Sequence, residues 1–309
     1  MEIIRHISRR VSFPHPIVSI GNFDGVHIGH QAILRRLVQE AKDRQGTAIV
    51  LTFHPHPLSV LRPDQRLPLI CSLREKLSLF SSLEIQTVFL QHFTLPFSQL
   101  SAEEFMRNYL SETIGAEKVI VGHNVSFGRN RAGNAETLLQ SAKTYGFEAE
   151  IVGPIKTNGQ EVSSTAVRAL LNSGEMPAVT RFLGRYYTVS GRVVRGFQRG
   201  RGIGFPTANL PPRADLLLPN GVYAVMVDVD GQEVPGVANI GLNPTFGVNK
   251  RTLEAHLFDF SGDLYGKRLS VAFVARLRGE QKFPSVEELV KQIQKDAGRA
   301  RALFAAAKP

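Results

Sequence analysis

Apolar residues in the first 183 positions fall into short unbroken runs that alternate with stretches of helical spacing. Ile17–Ile20, Ala48–Phe53, Val88–Leu90, Val119–Val121 and Ala149–Val152 read as buried strands. Ile33, Leu34, Leu37, Val38 and Ala41 mark one apolar face of a helix within Gln31–Asp43. Arg74–Leu83, Ala102–Leu110 and Ala135–Tyr145 read as further helices. Continuous apolar runs imply strands buried on both faces, which predicts an α/β unit with a mostly parallel sheet. In such sheets ligands bind beyond the carboxyl ends of the strands.

After Leu183 the pattern changes. Tyr187–Val194, Gly221–Asp228, Glu233–Asn239, Thr252–Phe260 and Ser270–Leu277 are β-rich segments broken by Gly, Pro and Asn, with Asp230-Gly231 as a hairpin turn. They predict a small antiparallel β-barrel or sandwich, closed by a helix running from Ser285 through Leu289 and Ile293 to Phe304. A chain of 309 residues exceeds what one core needs, and the change of pattern places two domains at 1–183 and 184–309.

Composition narrows the function classes. Hydrophobic residues make up 43% and charged residues 21%, a folded rather than a disordered profile. No apolar run reaches the roughly 18 residues that span a bilayer, so no membrane partner is expected. Met1–Arg10 lacks the apolar core of a signal peptide. The single cysteine, Cys71, excludes an intrachain disulfide and any multi-cysteine metal site, and points to a cytoplasmic location. The net charge is +10, and its surplus is uneven: 19 Lys+Arg against 16 Asp+Glu through Leu183, then 18 against 11. Arg192, Arg195, Arg199 and Arg201 concentrate it around a glycine-rich stretch, which suits phosphate ligands. The strands lack aromatic platforms interleaved with basic residues, so no nucleic-acid partner is expected.

Two constellations carry chemistry. Ser19 to His30 reads SIGNFDGVHIGH, leaving the first strand and opening the first helix. Its glycines admit close backbone approach to a ligand, and a helix start offers free N–H groups to anions. His27 and His30 share a face if the turn is helical, and two imidazoles there could stabilise negative charge at phosphorus. VSSTAVR (162–168) starts another helix with Ser163 or Ser164 as cap, and its hydroxyls and Arg168 suit a triphosphate. His54 and His56 lie in a proline turn without a third ligand nearby, so metal binding is not expected there. Downstream, Gly196–Asn209 holds four glycines and two arginines without the Gly-Lys-Ser/Thr of a P-loop, and no helix is expected in it. Thr207 and Asn209 share a face if extended and are hard oxygen ligands suited to Mg²⁺. Glu254 alternates with His256, Phe258 and Phe260, which would point its carboxylate inward as a base for a hydroxyl proton; a salt bridge to an arginine is the alternative.

GNFDGVHIGH, TFHPHP, VGHNVSFGRNRAG and VSSTAVR, in this order, resemble the N-terminal module of the bacterial bifunctional riboflavin kinase/FMN adenylyltransferase (FAD synthetase) family. That module belongs to the Rossmann-like nucleotidyltransferases with an HxGH motif. Class I aminoacyl-tRNA synthetases share HIGH, but their KMSKS loop is missing here. GRGIGFPTANL, GVYAV, ANIGLNPTF, EAHLFDF, DLYG and LRGEQKF resemble the family's riboflavin kinase module. The resemblance implies two steps: riboflavin and ATP give FMN and ADP, then FMN and a second ATP give FAD and pyrophosphate. Mg²⁺ is the implied ion, with FAD a product. It also implies that His27 and His30 act at the α-phosphate, with Gly21, Asn22, Gly29 and Asn124 near ATP. Ser163, Ser164, Thr165 and Arg168 would hold the other phosphates, and Pro55 and Pro57 would border the flavin. In the second module Gly200, Arg201 and Gly204 would wrap ATP, Thr207 and Asn209 would bind Mg²⁺-ATP, and Glu254 would be the general base. Positions 54, 124 and 134, often acidic in the family, are His54, Asn124 and Asn134 here.

Overall fold

The computed structural model describes residues 1–5, 12–65, 67–196, 199–212, 215–245 and 248–306; the side chains at 199, 201 and 243–250 lie outside the described set. The chain forms two compact units, Met1–Ser164 and Thr165–Pro309.

The first unit is built on six parallel strands: β1 (Glu2–Arg5), β2 (Pro16–Ile20), β3 (Thr47–His54), β4 (Thr87–His92), β5 (Lys118–Gly122) and β6 (Glu148–Val152), in the order β1-β4-β3-β2-β5-β6. Both faces are covered. Val18, Ile20, Ile49, Leu51 and Phe89 pack with Phe105, Met106 and Leu110 on one side. Ile17, Ala48, Val50 and Val88 pack on the other with Leu34 and Leu37 of α1 (Ile28–Asp43) and Phe80 of α2 (Leu73–Ser82). Neighbours along a strand thus alternate between two buried faces, which accounts for the apolar runs. After β2 the chain crosses to β3 and β4; after β5 it crosses to β6 on the opposite side. The carboxyl end of β2 is therefore the switch point where such sheets open a crevice.

The expected strands and helices are present with shifted ends. The helix expected at Ala102–Leu110 begins at Ala102 but winds as a π-helix over Met106–Ile114 and stops at Gly115 in left-handed conformation. The helix expected to reach Tyr145 is shorter, as α3 (Ala135–Ser141), and Asn134 caps it by accepting from Thr137 N at 2.9 Å. Strand β1 and a small hairpin pairing Lys156–Thr157 with Gln160–Glu161 gave no apolar signal, because both are largely exposed.

The second unit opens with α4 (Ser164–Ser173, its first residue at the boundary) and α5 (Met176–Leu183). Its sheet joins β7 (Tyr187–Arg192), β8 (Ala208–Leu210), β9 (Gly221–Val229), β10 (Gln232–Thr245), β11 (Val248–Leu257) and β12 (Arg268–Arg278) in the antiparallel order β7-β12-β9-β10-β11-β8. Val194, just past β7, bridges to Asn209 on β8, so the two edges of the sheet meet and the barrel partly closes. The Asp230-Gly231 turn joins β9 to β10, both residues at positive φ. Helix α6 (Val286–Ala306) covers one face, where Ala300 packs with Val222, Ala224 and Leu277. Helix α5 buries Met176, Val179, Phe182 and Leu183 and packs on β7 and β12. The compact unit therefore starts upstream of the change in hydrophobic pattern at Leu183/Gly184.

One ionic network ties α1 to β5 and β6. Glu40, nearly buried, takes Arg36 Nη2 at 2.5 Å, Arg44 Nε at 2.8 Å and Lys118 Nζ at 3.0 Å, while Lys118 also reaches Glu150 at 2.7 Å. Burial alone would raise the Glu40 pKa, but Lys118, Arg36 and Arg44 outweigh it and hold it at about 2. The folded value lies below the unfolded one near 4.5, so the stabilisation is complete above that pH and is lost as pH falls toward 2. Glu40→Gln is expected to destabilise the first unit by about 1–3 kcal/mol at neutral pH and far less in acid. Urea titrations of both proteins at the two pH values check this; equal loss at both would assign the effect to packing.

Candidate active sites

At the switch point the chain makes a tight loop from Gly21 to His27. Phe23 (φ 48°) and Val26 (φ 41°) lie in the left-handed region that side chains disfavour, beside Gly25 at φ 78°. The conformation is held from outside. The Asp24 carboxylate accepts from Ile70 N at 3.1 Å, Gly25 N donates to Cys71 Sγ at 3.3 Å, and Gln31 Nε2 donates to the Val26 carbonyl at 3.0 Å. Ser164 Oγ donates to the Asp24 carbonyl at 3.0 Å. Lys76 of α2, itself buried, donates to the Asn22 carbonyl at 3.0 Å and to Thr52 Oγ1 at 3.3 Å.

This loop delivers the two histidines. His27 is the N-cap of α1, its Nδ1 accepting from His30 N at 3.3 Å. That bond leaves Nδ1 unprotonated, so the neutral ring carries its proton on Nε2. The two imidazoles stack 3.6 Å apart, 16° from parallel. Gly29 makes room, since a Cβ there would lie 3.2 Å from the His27 ring. His27 is buried; His30 is half-buried, and its Nδ1 is shut away without a hydrogen-bond partner. Burial, then His27, then Lys76 push the His30 pKa well below its usual value, so this ring is neutral at physiological pH. A stacked imidazole pair at a helix start can donate N–H bonds to an oxyanion whose charge grows during reaction.

Other expected residues of the first unit sit around the same sheet edge. Asn124 is exposed just past β5, and the glycine before it, Gly122, lets that strand end approach Ile33 of α1. Asn22 contributes its carbonyl to the Lys76 anchor, and the Ser164 hydroxyl is engaged with the loop. Ser163 lies in the first unit, whereas Thr165 and Arg168 lie beyond the boundary in the second. Pro55 follows a cis peptide after β3, and Pro57 starts a one-turn helix capped by His56. A cavity of about 520 Å³ opens nearby, lined by Gln91, His92, Thr94, Phe97 and Tyr109 among others; neither proline lines it. Its His92 pairs in register with His54 at the ends of β4 and β3. Sequence reasoning missed this cavity and Lys76. The signal for Lys76 was present: it stands one helical turn before Phe80 on the buried side of α2.

In the second unit the candidate residues form a row. Asn209 on β8 pairs with Glu254 on β11, and Glu254 pairs on its other side with Asn239 on β10. Directly paired residues share a sheet face, so the three stand side by side. This is the face that α6 covers, because Leu253, Ala255 and Leu257 fill the opposite, inner face. The expectation that Glu254 points inward is thus corrected: the small and aliphatic residues took the barrel interior and left the half-buried carboxylate outside. Thr207 precedes β8 and is held by its neighbours, since Pro206 O accepts from His256 Nδ1 at 2.8 Å and Phe205 packs edge-on against His256. Gly200 and Gly204, at φ 86°, lie in a loop that closes on itself through Phe205 N donating to Gly200 O at 2.8 Å. One helical turn, Arg199–Gly202, occurs where no helix was expected. Gly196 packs directly on Asn209; a Cβ there would lie 2.5 Å from its amide. Phe197, Gln198 and the side chains of Arg199 and Arg201 lie outside the described set.

Fold and loop together define a nucleotidyltransferase-type α/β unit followed by a partly closed β-barrel unit. The FAD synthetase family model matches residues 12–166 and the riboflavin kinase model matches residues 183–304. The Escherichia coli K12 protein named bifunctional riboflavin kinase/FMN adenylyltransferase is 37% identical over all of both chains. Its Pseudomonas fluorescens counterpart is 39% identical over 94% of this chain and 93% of its own. A crystal structure described as a macrolide-efflux protein from Streptococcus pneumoniae superposes with a TM-score of 0.88 at 30% identity, covering 97% of this chain and 99% of its own. Among the described residues no helix is long and apolar enough to cross a membrane. The chain belongs to the bifunctional riboflavin kinase/FMN adenylyltransferase family.

The loop geometry can be tested apart from chemistry. A Cβ at Gly25 would lie 2.7 Å from Ile70, while at Gly146, of nearly the same φ (77°), it would meet nothing within 4 Å. Gly146→Ala should lose only the left-handed backbone preference, about 1–2 kcal/mol. Gly25→Ala adds a core clash, typically about 1–3 kcal/mol more. Thermal melts of both variants compare them, and equal melting temperatures would show that Ile70 yields freely.

Proposed function

We propose that the two units divide two ATP-dependent steps, adenylyl transfer through His27 and His30 and phosphoryl transfer through Glu254. The chain is a transferase that phosphorylates riboflavin to FMN and adenylylates FMN to FAD with release of pyrophosphate. The observation that carries this reading is the tandem match of both family models within one chain, with relatives aligned from end to end.

In the first step of the proposal, riboflavin's 5′-hydroxyl attacks the γ-phosphorus of ATP, ADP leaves, and Glu254 takes the hydroxyl proton. The position of Glu254 beside Asn209 supports this role. Thr207 and Asn209 offer a hydroxyl and an amide oxygen, hard neutral donors that fit a cation carried in by the ATP phosphates. Mg²⁺ held there would neutralise phosphate charge during transfer. Gly200, Arg201 and Gly204 are assigned to the ATP phosphates.

In the second step an FMN phosphate oxygen attacks the α-phosphorus of another ATP, and the bond to pyrophosphate breaks. His27 Nε2–H and the neutral His30 ring donate to the α-phosphate oxygens as charge builds there. Gly21, Asn22, Gly29 and Asn124 are assigned to ATP, and Ser163, Ser164, Thr165 and Arg168 to its phosphates. The aromatic cavity at the end of β4 suits the flavin ring, and Pro55 and Pro57, which do not line it, are assigned to the flavin from the turn after β3. The working limits of the two activities are placed at 1–183 and 184–309, which the model matches ending at 166 and starting at 183 support. A cytoplasmic setting fits the lone buried thiol of Cys71.

Chromatography of riboflavin incubated with enzyme and Mg-ATP should show FMN first and FAD second. His27→Ala/His30→Ala should lower FAD formation from FMN by at least about 10²–10³-fold, the usual effect of one lost transition-state donor, while riboflavin phosphorylation persists. Wild-type adenylylation in the double variant would refute the first-unit assignment. Conversely, Glu254→Gln should lower riboflavin phosphorylation by about 10²–10⁴-fold with Mg-ATP binding intact, and Thr207→Ala should weaken Mg-ATP binding as well. Unchanged single-turnover kinase rates in Glu254→Gln would make the carboxylate structural.

A further inference from the structure

Lys76 is an uncommon group: a lysine on the buried face of α2, with relative exposure of 9% and, among the described residues, no carboxylate in an ion pair with it. A buried ammonium that lacks a paired anion is costly. Here it is met by two neutral oxygens, the Asn22 carbonyl and Thr52 Oγ1, and Thr52 Oγ1 itself lies 3.4 Å from the same carbonyl. Asn22 directly precedes Phe23, the first of the left-handed residues in the loop that leads to the stacked histidines. We propose that Lys76 is a positioning residue for adenylyl transfer: its ammonium pins the Asn22 carbonyl and places a fixed positive charge behind the His27–His30 pair. The inference rests on the assignment of that pair to the reaction.

The charge matters because the geometry tolerates only uncharged rings. A proton on His27 Nδ1 would remove the acceptor for His30 N and break the cap of α1. A proton on His30 would put a charge into a stack only 3.6 Å deep. The groups that face this cluster are few. Lys76 from α2 acts on His30 alongside His27, while Cys71 and Asp24 act on Lys76 in the opposite sense. His54, at the end of β3, also feels Lys76, together with His92 and Arg5. Burial lowers the Lys76 pKa, and Cys71 and Asp24 partly restore it. With its charge present, Lys76 opposes protonation of His30, in the same direction as burial.

Two variants separate the pin from the charge. Lys76→Gln keeps an N–H donor for the Asn22 carbonyl and removes the charge; Lys76→Met removes both. Imidazole NMR signals, assigned with His30→Gln, should show His30 titrating about one pH unit higher in both variants than in the wild type. The acid limb of kcat/KM for FMN adenylylation should move upward with it. Lys76→Met should also lose about a hundredfold in adenylylation through misplacement of the loop, with Lys76→Gln retaining more, and riboflavin phosphorylation should be unchanged in both. An unshifted His30 titration in a folded variant would overturn the proposal and leave Lys76 a purely structural anchor. If neither variant folds, Lys76→Arg, which keeps a charge and N–H donors, decides: a His30 titration held as low as in the wild type supports the proposal, and one raised although the charge is kept overturns it. Failure of the underlying assignment looks different, because adenylylation would then survive His27→Ala/His30→Ala whatever His30 does.

Discussion

Two side-chain-bearing residues, Phe23 and Val26, hold left-handed backbone between β2 and α1, a conformation worth roughly 1–2 kcal/mol of strain each. The loop keeps that shape because the segment from Ile70 to Lys76 grips it at three points: the Ile70 amide donates to the Asp24 carboxylate, the Cys71 sulfur accepts from the Gly25 amide, and the Lys76 ammonium donates to the Asn22 carbonyl. Everything distinctive about the first site follows. The turn places His27 at the head of α1, its Nδ1 bond to His30 N sets the tautomer, and the missing Cβ at Gly29 allows the rings to stack. The parallel sheet contributes the location, since β2 is the strand from which the crossovers diverge. The strain is local, but the forces that sustain it arrive from a segment some fifty residues further along the chain, Ile70 and Cys71 just before α2 and Lys76 within it.

Much of this was legible in the sequence, and the limits have physical causes. Strands buried on both faces advertise themselves as apolar runs, so β2 to β5 and their order of appearance could be read directly, and edge strand β6 kept enough of a run in Ala149, Ile151 and Val152 to be read with them. Edge strand β1 and the 156–161 hairpin could not, because their stability comes from backbone pairing with little apolar burial. The histidine pair was legible because a glycine turn after a strand narrows what it can be. Lys76 was not read, because a lysine in a helix is ordinarily solvated and its burial depends on which strand ends meet it. Glu254 was placed on the correct strand but on the wrong face. Alternation alone cannot say which side of a barrel strand is the interior when one side carries Leu253, Ala255 and Leu257 and the other carries His256 and Phe258.

The two units solve the same problem differently. In the first, irregular backbone is tied down by long-range bonds, which fix the orientation of two stacked imidazoles at a helix start. In the second, Asn209 and Glu254 stand on regular strands, and Asn209 also helps join the edges of the sheet through its bridge to Val194. Two of the three departures noted from the sequence, Asn134 and Asn124, have simple settings. Asn134 caps α3 as Asp would, with its side-chain oxygen toward Thr137 N, and Asn124 stands exposed beyond β5.

The row Asn209–Glu254–Asn239 crosses three neighbouring strands, and strands in a sheet are spaced about 4.8 Å apart. That spacing is fixed by backbone hydrogen bonds and not by the side chains that use it. The row therefore works as a ruler with marks that no single substitution among the three can move. Selection can change what stands at each mark, but the separation between the carboxylate-bearing position and its two neighbours is inherited from the sheet itself.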